Sequence, residues 1–207
     1  MKKARPIFKK TTLILVLTIM VVISLVFLAS CSEKAPKAVL NFDLGELSYS
    51  LYDNGDVYCI SYNGGGETGV LVIKVTIPGT VEYEGVEYKV VGVQSLAFDH
   101  AKITQIDLSE GIEKVQSYAF AYCSATIINL PSTITEIGEF AFVNTLSLRK
   151  LNVKSTVPPS IGKNAIKYYD NSLHVYRVSD ILTIKVPEES FDSYYNEWRE
   201  YVEVMAK

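Results

Sequence analysis

The sequence predicts a mainly β solenoid, a fold in which short repeats stack and each repeat adds a strand to a common sheet. The first observation is the dipeptide Ala-Phe, which occurs at 97–98, 119–120 and 141–142 with a spacing of 22 residues each time. The second is a short segment between these copies, with apolar residues at its first, fourth and sixth positions, as in a half-buried strand. One such unit cannot bury its apolar side alone, so neighbouring units have to stack.

The copies of the repeat align over nine residues. Residues 90–98 read VVGVQSLAF, residues 112–120 read IEKVQSYAF, residues 134–142 read ITEIGEFAF, and a fainter copy, IGKNAI, follows at 161–166. Stacking predicts two interior apolar columns and an aromatic ladder, formed in turn by Ile106, Ile128 and Leu151, by Leu108, Leu130 and Val153, and by Phe98, Phe120 and Phe142.

These repeats resemble the BspA-type leucine-rich repeats of bacterial surface proteins, whose units run roughly LxxIxIPxxVxxIGxxAFxxC. Residues 125–142, ATIINLPSTITEIGEFAF, follow this pattern closely. The segments 75–93 and 185–202 resemble those that precede and follow the repeats in that family, so the resemblance covers residues 70–207. It implies a leucine-rich-repeat solenoid and, for function, adhesion to host matrix proteins and coaggregation between bacteria.

Both ends of the solenoid have patterns typical of caps. Residues 47–62 read as a β-hairpin around Asn54 and Gly55, a pair that suits a tight turn. Apolar residues from Phe191 to Met205 recur at helical spacing and predict an amphipathic helix after Pro187. The predicted fold class is mainly β, a short leucine-rich-repeat solenoid with an N-terminal β-hairpin cap and a C-terminal capping helix.

The amino terminus has the order of a secretory signal. Residues 1–30 hold five basic residues and no acidic one, and residues 13–29 are almost wholly apolar. Residues 28–31, Leu-Ala-Ser-Cys, resemble the lipobox of bacterial lipoproteins, which implies lipidation of Cys31 and removal of the signal on its amino side. A retained membrane-spanning helix is the alternative, because the apolar run is nearly long enough to cross a bilayer.

The predicted organisation and location follow from these segments. The segments are a lipoprotein signal peptide (1–30), the lipidated cysteine and a tether (31–40), an N-terminal hairpin and lead-in region (41–89), the solenoid (90–187) and the capping helix (188–207). We expect the protein in the bacterial cell envelope, at the outer membrane or cell surface, held to the membrane through the lipid on Cys31.

Composition excludes several function classes. Residues 31–207 hold 15 of the 20 Lys and Arg and all 23 Asp and Glu, a net charge of −8, which argues against nucleic acid as a partner. With two histidines and three cysteines, a structural zinc site, haem or iron–sulfur cluster is not expected, and neither is any other cofactor. Once Cys31 is assigned, Cys59 and Cys123 are expected to be separately buried thiols, with a disulfide between them as the alternative.

Motifs for catalysis are weak, and we expect the protein not to be an enzyme. Residues 64–69 match G-x-G-x-x-G, but a strand-like run follows them where a dinucleotide fold needs a helix. Cys123 and His100, one repeat apart, come nearest to a nucleophile and its base, but no third group to orient them is evident.

The outward strand positions form the candidate binding surface. Stacked strand faces of solenoids serve as binding platforms. Tyr118 aligns with Phe140 and is expected to pack within the repeat, whereas Tyr122 aligns with polar residues and is the better aromatic candidate for contact. The candidate residues are Asp107, Asn129 and Asn152 in one column, Gln105 and Lys150 beside them, and Tyr122.

The sequence therefore predicts a cell-envelope lipoprotein whose leucine-rich-repeat surface binds protein or glycan partners on a host or bacterial surface, in adhesion. The alternative function is a structural or accessory subunit of a bacterial envelope assembly.

Overall fold

The computed structural model describes residues 35–64 and 72–206. The predicted signal peptide, Cys31, the start of the tether and most of the glycine-rich G-x-G-x-x-G match lie outside the described residues. In the part that is described, no helix combines the length and the apolar character needed to cross a membrane.

The described chain is built mainly of short strands. One α-helix, α1 (Phe191–Glu197), lies between 3₁₀ turns at Glu188–Ser190 and Arg199–Val204. The strands are β1 (Ala38–Leu44), β2 (Leu47–Tyr52), β3 (Val57–Tyr62), β4 (Val72–Ile77), β5 (Thr80–Tyr83), β6 (Val86–Val93), β7 (Ile103–Leu108), β8 (Lys114–Val115), β9 (Ile127–Leu130), β10 (Glu136–Ile137), β11 (Lys150–Val153), β12 (Ser160–Ile161), β13 (Tyr168–Asp170), β14 (Val175–Arg177), β15 (Thr183–Lys185) and β16 (Met205–Ala206).

Two sheets run along the solenoid. The first has the order β1-β2-β3-β6-β8-β10-β12, with β5 paired to β6, and the second has the order β16-β15-β11-β9-β7-β4. Every pairing in the second sheet is parallel, and in the first sheet the pairings β6–β8, β8–β10 and β10–β12 are parallel as well. Strands β13 and β14 form a separate antiparallel hairpin. The predicted fold class, a mainly β leucine-rich-repeat solenoid, is confirmed.

The core lies between the two sheets and consists of stacked columns. Ile106, Ile128 and Leu151 occupy equivalent positions on adjacent strands and have no exposed surface. The Phe120 ring centroid lies 5.1 Å from that of Phe98 and 5.4 Å from that of Phe142. Burying each such side chain contributes about 1.5–3 kcal/mol, so the columns hold the rungs together.

The second sheet has one further rung before, and one further rung after, those that the 22-residue spacing reveals. In the second sheet Val75 pairs with Ile106, 31 positions later, and Leu151 pairs with Ile184, 33 positions later. The antiparallel pair β5–β6 and the hairpin β13–β14 are inserted between these partners and lengthen the interval. The parallel stack therefore begins at β4, in the region that the sequence assigned to the lead-in before residue 90.

The N-terminal cap is larger than the predicted hairpin. Strands β2 and β3 form that hairpin, with Gly55 at a φ of 88° in its turn. Strand β1 adds to β2 and begins at Ala38, so residues 38–40, expected in the tether, belong to the sheet instead. Phe42 in β1 is buried, and this apolar contact explains why the strand stays on the sheet.

The C-terminal cap is not the single helix that the apolar spacing predicts. Helix α1 ends before Trp198, whose indole N–H donates to the Pro159 carbonyl at 3.0 Å. After a 3₁₀ turn, β16 pairs with β15. The strand covers the edge of the last rung, which a helix alone would leave with unpaired backbone groups.

Cys59 and Cys123 are both buried free thiols. Burial raises the pKa of Cys59 to about 12 and that of Cys123 to about 11. This arrangement agrees with the expectation of two separate thiols rather than a disulfide.

Candidate binding surfaces

The predicted outward column on the strands is a hydrogen-bonded ladder. Asp107, Asn129 and Asn152 occupy equivalent positions on β7, β9 and β11. The Nδ2 of Asn129 donates to Oδ1 of Asp107 at 2.5 Å, and the Nδ2 of Asn152 donates to Oδ1 of Asn129 at 2.6 Å. Gln105 also donates to Oδ1 of Asp107, at 2.9 Å. These four candidate residues therefore bind one another.

Asp107 is also held by a cation. The Nζ of Lys74 lies 2.6 Å from its Oδ2. Partial burial alone would raise the pKa of Asp107, but hydrogen bonds from Lys74, Asn129 and Gln105 outweigh it and lower the pKa. The carboxylate is thus ionised and engaged within the fold. Of the strand-face candidates, Lys150 is exposed, and its side chain has no polar partner in the described part of the chain.

Tyr122 belongs to a different surface, the loop edge, which we define as the turns 96–100, 118–122 and 140–144. Bulky residues rarely adopt positive φ angles, yet two positions of each turn do so. Because these positions recur with the repeat, the conformation is a property of the repeat's turn. The residues are Leu96, His100, Tyr118, Tyr122, Phe140 and Asn144, with φ between 53° and 64°.

Aromatic rings stack along the loop edge. The His100 and Tyr122 centroids are 4.8 Å apart, with the rings inclined by 10°. Tyr118 and Phe140 stack with centroids 5.0 Å apart. The expectation that Tyr118 packs inside the repeat is wrong, because 41% of its surface is exposed. Its neighbour along the stack, Phe140, is itself only partly buried, and the core position is taken by Phe120.

An open cleft of about 710 Å³ adjoins the loop edge, and we call it the tyrosine cleft. The hairpin β13–β14 forms one side, and Asn144 joins it to the repeats by accepting a hydrogen bond from the Tyr169 N–H at 2.7 Å. Tyr169 and Tyr176 are a cross-strand pair with centroids 5.1 Å apart. The lining residues are Tyr122, Asn144, Leu146, Tyr168, Tyr169, Asp170, Asn171, Ser172 and Tyr176.

Asp170 supplies the charge in the tyrosine cleft. Its Oδ1 accepts hydrogen bonds from the backbone N–H groups of Ser172 and Leu173, and its Oδ2 lies 3.3 Å from the Arg177 guanidinium. The hydrogen bond from Leu173, followed by those from Ser172 and Arg177, lowers the pKa of Asp170. The carboxylate is therefore ionised at neutral pH.

The sequence reasoning missed this hairpin. The runs 168–169 and 175–176 flank Asp170, Asn171 and Ser172. Two aromatic or β-branched runs around such residues are a hairpin signal. This signal was obscured because the hairpin interrupts the repeat.

Cys123 and His100, the pair that comes nearest to a nucleophile and its base in the sequence, lack the features of an activated pair. Cys123 is buried and its pKa is raised, whereas a thiolate nucleophile needs a lowered pKa. The Nδ1 of His100 lies 3.0 Å from Asp99, and its ring stacks on Tyr122. His100 is thus engaged on the loop edge.

A family model described as the BspA type leucine-rich repeat region matches six copies over residues 91–194, half of the chain. The chain belongs to the BspA-type leucine-rich repeat family. The match covers the repeats, the inserted hairpin and the start of the C-terminal cap. No curated protein matches the chain.

Solved structures of bacterial leucine-rich repeat proteins have a similar fold. One from Bacteroides capillosus is 23% identical with a TM-score of 0.54, and the match covers 71% of this chain and 98% of that one. A T. pallidum leucine-rich repeat protein is 16% identical with a TM-score of 0.44, covering 72% of each chain. The pneumococcal vaccine antigen PcpA is 18% identical with a TM-score of 0.42, covering 74% of this chain and 51% of PcpA. At 23% identity, the likeness to the Bacteroides capillosus protein concerns the fold alone.

Proposed function

We propose that this BspA-type repeat protein is a lipid-anchored protein of the bacterial cell envelope that binds a protein or glycan partner, without catalysis, in adhesion. The observation that carries the proposal is the tyrosine cleft. The hairpin β13–β14 adds no strand to either main sheet, yet it holds Tyr169 and Tyr176 with 37% and 40% of their surface exposed. Exposed aromatic residues on an element that adds no strand to the main sheets support a binding role.

Tyrosine is well suited to such a role. Its rigid side chain supplies a large contact area at a low cost in conformational entropy, and its hydroxyl adds a hydrogen bond. The rings on the loop edge are already ordered by stacking, as in the pair His100 and Tyr122. Less ordering is then needed when a partner binds.

Membrane attachment is proposed from residues 28–31. A thiol-linked diacylglycerol on Cys31, together with an acyl chain on its amine, supplies more than one hydrocarbon chain, which suffices for stable anchoring. The strands begin at Ala38, so residues 32–37 connect the proposed anchor to the sheet. Many copies on one membrane would bind a repetitive surface multivalently.

Attachment of protein-coated beads tests the binding role. Beads carrying the full-length protein are applied to epithelial cell layers, to extracellular matrix and to bacterial cells. Tyr122→Ala should reduce attachment at least about tenfold, whereas Tyr195→Ala should not. Tyr195 is the matched control, because half of its surface is exposed, as for Tyr122, and it lies in α1.

The same assay separates the two surfaces. Lys150→Glu reverses an exposed charge on the strand face, and we expect attachment to remain unchanged. Loss of attachment with Lys150→Glu but not with Tyr122→Ala would indicate that the binding site is on the strand face. Beads that attach to none of the surfaces would contradict the proposed role.

Proteolytic shaving of intact cells tests the alternative of an accessory subunit. An adhesin facing outward should be cut by added protease, and the fragments should appear in the medium. A subunit that faces the periplasm should survive until the cells are lysed.

A further inference from the structure

The lining of the tyrosine cleft is aromatic and polar at once. Eight of its nine residues carry a hydrogen-bonding side chain, and Leu146 is the exception. Its volume of about 710 Å³ is within the range of small-molecule sites, ~300–1,000 Å³, but such sites are mostly walled by apolar side chains. A pocket for an apolar peptide anchor would therefore have a different lining.

Sugar rings match this lining. One face of a pyranose presents C–H groups and packs on an aromatic ring, while its hydroxyls both donate and accept hydrogen bonds. The cleft presents aromatic rings in more than one orientation. Tyr169 and Tyr176 are inclined by 61°, and Tyr122 is supported by the parallel ring of His100.

Polar groups in the cleft are available to a ligand. The Oδ1 of Asn144 accepts from the Tyr169 N–H, which leaves its Nδ2 as a donor. Within the described residues, Asn171 and the hydroxyls of Tyr122 and Tyr176 have no hydrogen-bond partner in the protein. These groups are solvated in the free protein and can exchange water for sugar hydroxyls.

The charge in the cleft selects among sugars. Asp170 is the charged residue of the lining, and the neighbouring Arg177 already lies against it. A sulfated or sialylated glycan would meet this carboxylate, and no lysine, arginine or histidine is among the described residues that line the cleft. Charge complementarity thus favours a neutral ligand.

We infer that the tyrosine cleft binds a short neutral oligosaccharide, with Tyr122, Tyr169 and Tyr176 packing on sugar rings and Asn144 and Asp170 bonding to hydroxyls. The inference rests on the proposed function, because it names the class of partner for that surface. An open cleft binds each sugar weakly, and multivalent display on the membrane raises the avidity.

Surface plasmon resonance with the full-length protein tests the inference. The protein is captured in a zwitterionic detergent, which carries no sugar, and is exposed to maltohexaose, cellohexaose, chitohexaose and a heparin-derived hexasaccharide. We expect saturable binding of at least one neutral hexasaccharide and none of the polyanionic one. Tyr122→Ala or Tyr169→Ala should weaken binding about tenfold, the order of loss seen when an aromatic stacking partner is removed.

Control variants separate the site from general effects. Tyr169→Phe keeps the ring face and should retain binding to within about threefold. Tyr195→Ala should bind as the unchanged protein does, and every variant should melt at the same temperature. Absence of binding to all three neutral sugars, stronger binding of the heparin fragment, or equal binding by Tyr122→Ala, Tyr169→Ala and the unchanged protein would each overturn the inference.

A second readout distinguishes failure of this inference from failure of the proposed function. Periodate oxidises the vicinal diols of glycans, whereas trypsin removes surface protein, and bead attachment is measured after each treatment of the target cells. Attachment that periodate abolishes supports a glycan partner. A different result would be attachment that resists periodate, is abolished by trypsin and still needs Tyr122. It would support the proposed binding function and overturn the inference that the partner is a glycan.

Discussion

Phe120 is the central ring of the aromatic ladder, with no exposed surface and a ring on either side. Replacing it with alanine leaves a cavity that neighbouring rungs cannot fill without losing their pairing. Phe120→Ala should therefore lower the free energy of unfolding by about 3–5 kcal/mol, measured by urea denaturation. Leu96→Ala, at a side chain that is 58% exposed, should change it by less than about 0.5 kcal/mol. Equal urea midpoints for the two variants would contradict the placement of Phe120 in a buried aromatic ladder.

Asp107 should make the stability of the protein depend on pH. Its pKa is lowered below the ordinary value of 3.8 in the folded state, so folding favours the ionised form. The resulting stability is present above the ordinary pKa and is lost as the pH falls through the lowered one.

Melting temperatures of the unchanged protein and of Asp107→Asn test this dependence. The variant should be less stable at pH 7, and the two melting temperatures should converge as the pH falls below about 4. All other carboxylates are common to both proteins, so their contribution cancels. A constant difference between the two melting temperatures at every pH would show that the ladder does not favour the charged form of Asp107.

Residue positions in the core were predictable from the sequence, while interactions on the surface were not. Alternation placed Asp107, Asn129 and Asn152 in one outward column. Their mutual hydrogen bonds depend on side-chain rotamers and on the spacing between strands, about 4.8 Å, which brings equivalent amides within reach. A pattern of polar residues in the sequence cannot distinguish such a hydrogen-bonded ladder from a surface that is free to bind a partner.

At the scale of elements, the hairpin β13–β14 should be dispensable for folding. Its strands pair only with each other among the described residues. Replacing residues 169–176 with Asn-Gly, a pair that favours a tight turn, should preserve the circular dichroism spectrum and shift the melting temperature by only a few degrees. Bead attachment should be lost in the same variant. Unfolding of the variant would show that the hairpin supports the last rungs.

The elements that sequence reasoning missed are those that interrupt a period. Rungs β4 and β15 escaped because inserted strands lengthen the interval to their partners beyond 30 residues. The C-terminal helix was predicted too long because apolar spacing near i, i+3 suits both an α-helix and a 3₁₀ turn. Its end at Trp198 depends on a hydrogen bond to Pro159, a contact 39 residues distant in sequence.

At the scale of the whole molecule, the fold is a stack in which each rung contacts its neighbours. Five successive parallel strands, β4, β7, β9, β11 and β15, form the second sheet in the described residues, and β16 closes it. Such arrays are stabilised by the sum of contacts between adjacent units. The repeat therefore predicted the architecture well, although it carries no information about the partner.

The proposed location of the whole molecule depends on Cys31, the residue proposed to carry the lipid. Cys31→Ser removes the thiol to which the lipid is attached, so the protein should remain as an uncut precursor or be released. Phase partition in detergent, followed by mass spectrometry, measures the outcome. Serine in place of Cys59 is the control and should leave acylation unchanged. A mature-sized, acylated Cys31→Ser protein would contradict lipidation at this residue.

The hairpin between β12 and β15 has a consequence for how this protein can diversify. Strand β15 rejoins β11 in register although the interval between their partners has grown to 33 residues. The chain segment between two rungs can thus change in length and content without disturbing either sheet. New specificities can arise by exchanging one surface module, by natural recombination or by grafting in the laboratory, on a scaffold that does not have to be refolded or redesigned.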